Sequence, residues 1–467
     1  MLLALVLASL AVPLGLYLGP AFIEASAPTD DDVKPQLPKA QWVPASVSNM
    51  TSVTTLDESA PMPDPKVLSK RLDAALVTAG PGRFTGVVID AMSGRVLYDD
   101  GGRQPRVPAS NTKLLTAVTV LKSLGAGHRF TTQVVQGHDS GDIILVGGGD
   151  VLLSAGASDP DAVMGHAGLQ TLARQTVAAL ERQGVRGEVT VRVDDSLFTG
   201  NPAHAIWPEG DLATGQVAPI FPMAMYSGRF APDERYGNRP QDSALHVGNV
   251  FADALADAGA KAGIKVSAEV RRAEAAPNAT ELAAVKSATV GEQVQLMLET
   301  SDNYLAETLS RMAAHAQGLP ASFVGSTRNI VQTITGLGVD TGSLKLEDSS
   351  GLSTENRIST ALIAAVLRIM VNTEDPDLAV ARAGLPVAGL SGTLSDRYQR
   401  DTRSAAGLVR AKTGTLHEVL ALSGYVVTAK GRLLIFSFIG NELGTIKPAN
   451  ERALDRAAAV LAGCGCS

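Results

Sequence analysis

Segments rich in β-forming residues lie near both ends of the folded part of this chain, and helical segments and a turn-rich stretch lie between them. Residues 84–90 and 95–98 are β-rich runs separated by a short turn. Three further runs come late in the chain, at residues 407–411, 420–428 and 432–439. Because strands satisfy their backbone groups by pairing, we expect the first hairpin to join the late strands in one sheet. The pattern predicts an α+β fold with an antiparallel sheet flanked by helices.

The middle of the chain predicts an inserted domain. Residues 136–280 mix short strands, turn-rich stretches and one helical pattern over residues 169–182. We expect them to form a strand-rich accessory domain. The main domain would then be built from residues 67–135 and 281–467.

The first 66 residues differ in composition from the rest. Residues 2–23 carry no charged side chain, and a helix of about 20 apolar residues crosses a bilayer. No basic residue precedes them, whereas residues 25–27 (Ala-Ser-Ala) resemble a cleavage site. We expect residues 1–27 to be either a signal peptide or a membrane anchor, and the proline-rich residues 28–66 to be a linker. This predicts an extracytoplasmic protein of the cell envelope that meets the membrane through its N-terminal segment.

The composition excludes several classes of protein. The chain has 467 residues, a net charge of −7 and no long run of Lys or Arg, so we do not expect it to bind nucleic acid. Its 7 histidines are scattered and its 2 cysteines cannot hold an iron–sulfur cluster, so no metal and no cofactor are predicted. Cys464 and Cys466 could pair with each other, although in a strained ring.

A first motif, Ser110-Asn111-Thr112-Lys113, begins a segment with the apolar spacing of a buried helix. Residues three apart share one face of a helix, so the Lys113 amine can reach the Ser110 hydroxyl. A lysine that is desolvated in a cleft can remove the serine proton and so create a nucleophile. The alternative is a helix cap followed by a surface lysine.

A second motif, Ser301-Asp302-Asn303, precedes another helical segment. The Ser301 and Asn303 side chains can flank a cleft if the backbone leaves the helix at this point. The alternative is a cluster that caps a helix starting at Tyr304.

A third motif, Lys412-Thr413-Gly414-Thr415, follows the β-rich run at residues 407–411. A lysine beside hydroxyl groups can hold a substrate carboxylate. Gly414 would leave room for the substrate backbone to approach closely. The alternative is a turn that ends the strand.

Taken together, the motifs S-x-x-K, S-D-N and K-T-G resemble in kind and order those of penicillin-binding proteins and β-lactamases. The long stretch between the first two is too long for a class A β-lactamase. It is similar to the insert of the low-molecular-mass class C penicillin-binding proteins, the D-alanyl-D-alanine carboxypeptidase/endopeptidase family of serine peptidases. Further segments similar to this family are RFTTQVV, ILVGGGD, VDDSLF, SDNYLAE, DSSGLSTENRIS, LPVAGLSGTLSDR and AKTGTL. The resemblance covers about residues 67–462 and implies a penicillin-recognising, β-lactamase/transpeptidase-like fold.

The resemblance implies a role for each motif. Ser110 attacks the penultimate D-Ala carbonyl of a peptidoglycan stem peptide with Lys113 as general base, and Ser301 passes the proton to the leaving D-Ala. Asn303 binds the substrate amide. The terminal carboxylate is oriented by residues of the third motif: Lys412, Thr413 and Thr415. Backbone N–H groups of Ser110 and Thr415 form an oxyanion hole, and penicillin traps the same serine.

A further substrate contact is implied at Asp194, in the segment VDDSLF. In relatives an aspartate at the matching position binds the amino end of the peptide's side chain, such as that of diaminopimelate. Two alternatives remain at this point, the adjacent Asp195 and a structural role for Asp194 in a turn at the end of a strand.

The predicted function is that of an exported, penicillin-sensitive serine D-alanyl-D-alanine carboxypeptidase, with endopeptidase activity as a possible addition. Its expected partners are peptidoglycan stem peptides and β-lactams. One alternative is a β-lactamase or esterase with the same catalytic groups. Another is a non-catalytic penicillin-binding protein of the cell wall.

Overall fold

The computed structural model describes residues 59–139, 141–234 and 236–465. The predicted signal peptide or anchor and most of the predicted linker lie outside these residues, as does Cys466. Cys464 is buried and disulfide-bonded. Among the helices in the described ranges, none has the length and apolar composition needed to cross a bilayer.

The regular elements alternate along the chain. The strands are β1 (Arg83–Asp90), β2 (Val96–Asp100), β3 (Arg129–Gln136), β4 (Asp142–Val146), β5 (Gly187–Asp194), β6 (Ile264–Val266), β7 (Arg271–Arg272), β8 (Glu281–Thr289), β9 (Arg410–Leu416), β10 (Val419–Val427) and β11 (Leu433–Asn441). The α-helices are α1 (Pro65–Ala75), α2 (Thr112–Leu124), α3 (Leu169–Arg182), α4 (Glu209–Ala213), α5 (Ser243–Gly259), α6 (Val290–Thr300), α7 (Asn303–Ala316), α8 (Phe323–Gly336), α9 (Thr360–Asn372), α10 (Pro376–Ala383) and α11 (Lys447–Ala462).

Helix α1 begins inside the predicted linker. The Asp64 carboxylate accepts hydrogen bonds from the backbone N–H groups of Lys66 and Val67, and Pro65 occupies the first helical position. Both features favour a helix start because the first N–H groups of a helix have no partner within it. The last residues of the linker are therefore already part of the folded body.

The first sheet has the strand order β2-β1-β11-β10-β9, with antiparallel pairing throughout. The first hairpin does join the late strands, as predicted. Alternate residues of β11 face opposite cores: Ile435 and Ile439 pack in the cluster around α2, whereas Phe436 and Phe438 pack in the cluster with α1 and α11. The sheet thus lies between two layers of helices, with α9 against β1 and β11 on one face and α11 against β10 on the other. Helix α2, buried over residues 112–121, packs among the helices on the side of α9.

The second sheet has the order β6-β5-β4-β3-β8, and β7 also pairs with β5. Strand β5 is parallel to β4 and β6, whereas β3 is antiparallel to β4 and β8. Helices α3 and α5 cover this sheet through apolar residues such as Leu172 and Phe251. Helix α3 has the bounds that the sequence pattern predicted.

The second sheet includes two strands that we expected in the main domain. Strands β3 and β8 pair with each other, and β3 pairs with β4, so both belong to the sheet of the insert. A β-rich pattern identifies a strand but does not identify its partner. In place of the predicted boundaries at residues 136 and 280, we propose boundaries near residues 129 and 289.

The strand that carries the third motif also differs from the prediction. Strand β9 begins at Arg410 and contains Lys412-Thr413-Gly414-Thr415, whereas the sequence placed these residues after a strand at 407–411. Gly407 has a φ of 80°, in the left-handed region, and so belongs to the turn that precedes β9.

Candidate active site

Ser110 and Lys113 lie at the start of the buried helix. Ser110 is in a turn of 3₁₀ helix, Ala109–Asn111, that runs directly into α2. The Lys113 amine lies 3.0 Å from the Ser110 hydroxyl oxygen. It also donates to the Asn303 side-chain oxygen at 2.6 Å and to the Ser350 backbone carbonyl at 2.7 Å. These acceptors are neutral, so they orient the amine without a directly bound counter-ion.

The protonation of Lys113 follows from this environment. Burial lowers the pKa of its amine to about 8, although the negative charges of Asp348, Asp302 and Glu307 oppose this effect. A lysine with an ordinary pKa is almost wholly protonated at neutral pH. Lys113 therefore has a larger neutral fraction, which can accept a proton from Ser110.

The second motif separates two helices. Helix α6 ends at Thr300, and the next residue, Ser301, has a φ of 60° and a ψ of 37°, in the left-handed region. Asp302 then caps α7 by accepting from the backbone N–H of Leu305, and its carboxylate pairs with Arg229 at 2.8 Å. The backbone thus leaves the helix at Ser301, as an arrangement of Ser301 and Asn303 around a cleft requires.

The third motif joins the second through Lys412. The buried Lys412 amine donates to the Ser301 hydroxyl at 2.8 Å and to the Thr413 carbonyl at 2.9 Å. Burial, with a further effect of the nearby Lys113 amine, holds the pKa of Lys412 well below its usual value. Thr413 shares a hydrogen bond of 2.7 Å with the hydroxyl of Thr393, a residue to which sequence reasoning gave no role.

Gly414 and Gly351 pack against the turn that carries Ser110. A Cβ atom at Gly414 would lie 3.0 Å from the carbonyl oxygen of Pro108, and a Cβ atom at Gly351 would lie 1.9 Å from that of Ala109. Both glycines therefore leave room for the turn at Pro108 and Ala109, in which Ala109 has a φ of 48°. This packing gives Gly414 a structural role beside the predicted one and holds the turn that carries Ser110 in place.

The three motifs meet at one cleft with a volume of about 1020 Å³. The predicted site residues that line it are Ser110, Ser301, Asn303, Thr413 and Thr415. Lys113 and Lys412 are buried and reach this surface through their contacts with Ser110 and Ser301. The insert also contributes to the site, because the Asn303 amide donates to the backbone carbonyl of Gln216 at 3.0 Å.

Asp194 is not brought to this cleft. It lines a separate cavity of about 560 Å³, together with Asp195 and Arg272. Its carboxylate accepts hydrogen bonds from the backbone and hydroxyl of Ser196 and from the backbone N–H of Ala275. Asp195 binds Arg272 through both carboxylate oxygens. The geometry therefore corrects the predicted substrate contact, since these contacts give Asp194 the structural role of closing a turn at the end of β5.

A different aspartate of the insert, Asp211 in α4, lines the cleft that contains Ser110. Burial raises the pKa of its carboxyl group. The sequence surrounding Asp211 carries no catalytic motif, so sequence reasoning missed it. Its sole sequence signal is an acidic residue in a turn-rich part of the insert.

Comparison with known proteins identifies the family. Residues 68–240 and 234–461 match the D-Ala-D-Ala carboxypeptidase 3 (S13) family of peptidases. The chain belongs to this family. The S13 chain is 36% identical over 419 residues to carboxypeptidase DacB of Mycolicibacterium smegmatis, a match that covers 89% of this chain and 88% of that protein. It is 35% identical over 400 residues to carboxypeptidase Rv3627c of Mycobacterium tuberculosis, a match that covers 84% of this chain and 83% of that protein.

A solved structure supports the fold of the S13 chain. The crystal structure of penicillin binding protein 4 (dacB) from Haemophilus influenzae aligns with a TM-score of 0.66 at 20% identity, covering 85% of this chain and 98% of that one. The predicted family, the penicillin-recognising fold and the peptidase class are thus confirmed.

Proposed function

We propose that this S13 peptidase is an exported, penicillin-sensitive serine D-alanyl-D-alanine carboxypeptidase that acts on peptidoglycan stem peptides. The observation that carries the proposal is the contact of 3.0 Å between the Ser110 hydroxyl and the buried Lys113 amine at the wall of an open cleft. A serine with an adjacent neutral amine is a nucleophile for acyl transfer.

The proposed first step forms an acyl-enzyme. The neutral Lys113 amine takes the Ser110 proton as the serine oxygen attacks the carbonyl carbon of the penultimate D-Ala. The new C–O bond forms and the peptide C–N bond breaks, while the proton accepted by Lys113 passes through the Ser301 hydroxyl to the leaving amine, so that Lys113 is again neutral and Ser301 again a hydroxyl. Asn303 supports this step because its side-chain oxygen fixes the position of the Lys113 amine.

The terminal carboxylate of the substrate would bind beside Lys412, Thr413 and Thr415. The charged forms of Lys412 and Lys113 repel each other in this buried site, which lowers the pKa of Lys412. The negative charge of the substrate carboxylate would offset this repulsion and let Lys412 carry a proton. Water then hydrolyses the ester, releasing the shortened peptide and restoring Ser110. A peptide cross-link offers the same amide chemistry with a larger leaving amine, so endopeptidase activity is part of the proposal.

The location of the substrate supports export. Peptidoglycan lies outside the cytoplasmic membrane, and the uncharged residues 2–23 are long enough for a signal peptide or an anchor. We propose that the N-terminal segment carries the enzyme to the cell envelope.

Mass spectrometry tests the function directly. The protein is incubated with a fluorescent penicillin and, separately, with a muropeptide that ends in D-Ala-D-Ala. We expect acylation at Ser110 and release of D-Ala, both lost in Ser110→Ala. Labelling without release would indicate a non-catalytic penicillin-binding protein, and rapid turnover of penicillin would indicate a β-lactamase. A labelled Ser110→Ala variant would contradict the assignment.

The pH dependence of acylation should reflect Lys113. Only the neutral amine can accept the serine proton, and the pKa of the Lys113 amine is about 8. The acylation rate constant is therefore expected to rise roughly tenfold per pH unit below about pH 8 and to level off above it. Stopped-flow acylation by a penicillin from pH 6 to 10 measures this, with circular dichroism at each pH as a check on folding. A rate that is constant from pH 6 to 9 would exclude Lys113 as the base.

Asp211 and Asp194 can be distinguished by kinetics. We expect Asp211→Asn to raise KM for a stem peptide with a cationic side chain by about 3- to 10-fold, because the variant loses a charge-assisted contact at the cleft. Asp194→Asn is the matched control and should leave KM unchanged, since Asp194 lines another cavity. A peptide with an uncharged side chain should show no difference between Asp211→Asn and the wild type. The reverse pattern would restore Asp194 as the substrate contact.

A further inference from the structure

A short buried segment, Ser349-Ser350, lies between the helix that carries the base and the helix that follows the second motif. On the side of α2, the Ser350 carbonyl accepts from the Lys113 amine at 2.7 Å, and the Ser349 carbonyl accepts from the Thr116 hydroxyl at 2.6 Å. On the side of α7, the backbone N–H groups of both serines donate to a single oxygen of Glu307, at 2.9 and 2.7 Å. The segment thus connects Glu307 to Lys113.

Glu307 is an unusual residue to find in this position. It is fully buried in α7, and its second carboxyl oxygen has no hydrogen-bond partner among the described residues. Burial, together with the nearby Asp348, raises the pKa of its carboxyl group to about 8. Burial of a carboxyl group without a partner costs free energy of folding. Glu307 offsets part of this cost because its carboxyl oxygen accepts from two backbone N–H groups that would otherwise be buried without acceptors.

We propose that Glu307 is a positioning residue for the Lys113 base: its carboxyl oxygen holds the Ser349-Ser350 backbone so that the Ser350 carbonyl fixes the Lys113 amine against Ser110. This inference rests on the proposed function. Glu307 does not line the cleft, so it acts through the segment and not on the substrate. Glu307 is the last residue of the segment SDNYLAE, and the sequence motifs gave it no role.

The neighbouring loop is held independently of Glu307. The Asp348 carboxylate accepts from the backbone N–H groups of Gly351 and Ser353 and from the Trp207 indole N–H. Loss of Glu307 should therefore disturb residues 349 and 350 locally and leave the rest of the loop in place. A displacement of about 1 Å at a catalytic group lowers a rate by about 100-fold.

Two substitutions at Glu307 separate positioning from simple stability. Glu307→Gln keeps an acceptor oxygen and should acylate within about threefold of the wild-type rate constant. Glu307→Leu has a similar size but no acceptor, and should lower the acylation rate constant by about 30- to 300-fold. The dissociation constant of the non-covalent penicillin complex should stay within about threefold in both variants. A merely structural role would predict neither the rescue by glutamine nor this separation of rate from affinity.

Thermal unfolding shows whether each variant is folded. If Glu307→Leu does not fold, Glu307→Asp serves instead, because its shorter side chain withdraws the acceptor; we expect a fall of at least about tenfold in the acylation rate constant. A folded Glu307→Leu or Glu307→Asp variant that acylates at the wild-type rate would overturn the inference. Wild-type protein that is not acylated on Ser110 at all would instead refute the proposed function, and the inference with it.

Discussion

Lys113→Met is expected to lower the acylation rate constant of Ser110 by about 1000-fold or more. Methionine has nearly the length of lysine and suits a fully buried position, but it cannot accept the serine proton. General-base catalysis contributes about 10²- to 10⁴-fold, and loss of the amine also removes the contacts that orient Asn303 and Ser350. Time-resolved labelling with a fluorescent penicillin measures the rate.

A matched control lies on the same helix. Lys122, in the last turn of α2, pairs with Asp375 at 2.9 Å and is 39% exposed, so Lys122→Met should acylate at the wild-type rate. Unfolding curves for both variants separate loss of chemistry from loss of structure. If folded Lys113→Met acylates within tenfold of the wild type, another group must act as the base.

Arg432→Met is expected to destabilise the fold by about 3 to 5 kcal/mol. Arg432, next to β11, binds both carboxylate oxygens of Asp90 at the end of β1, and the Asp90 side chain is fully buried. Burial opposes ionisation, yet hydrogen bonds from Arg432 and Ser93 hold the pKa of Asp90 below its usual value. Removal of the guanidinium would leave a buried carboxylate without its counter-ion, which is the costly way to break such a pair.

Urea unfolding of Arg432→Met and Arg83→Met gives the comparison. Arg83 pairs with Asp100 at 3.3 Å on the surface, where both side chains are about half exposed, so its loss should cost at most about 1 kcal/mol. Both pairs involve the β1–β2 hairpin, and they differ mainly in burial. If Arg432→Met and Arg83→Met lowered the free energy of unfolding equally, the buried Asp90–Arg432 pair would not stabilise the fold more than the exposed pair does.

The sequence predicted elements with a strong local pattern and missed pairings between distant segments. Helix α3 was predicted at its observed bounds because Leu169, Leu172, Ala173 and Leu180 recur on one face and are buried together. Residues 129–135 and 281–289 were placed in the main domain, whereas they form β3 and β8 and pair in the sheet of the insert. Pairing depends on three-dimensional proximity, which a strand's own sequence does not encode.

The same contrast holds for the site. Ser110 and Lys113 are three residues apart on one helical turn, so their contact could be predicted from spacing alone. Ser350 contributes a backbone carbonyl, for which no residue type is a signal. Asp194 and Asp211 look alike as acidic residues near turns, and only the folded insert shows which of them faces the cleft.

The middle strand of the first sheet, β11, has a consequence for biosynthesis. It lies between β1 and β10, so the strands from the two ends of the body cannot join until residues 433–441 have been made. Contacts between segments so far apart in sequence form slowly, because a large loop must close first. We expect a growing chain to hold Ser110 without the opposite wall of its cleft until synthesis is nearly complete. The peptidase would therefore gain its activity only after nearly the whole chain has been made and β11 has paired with both of its neighbours.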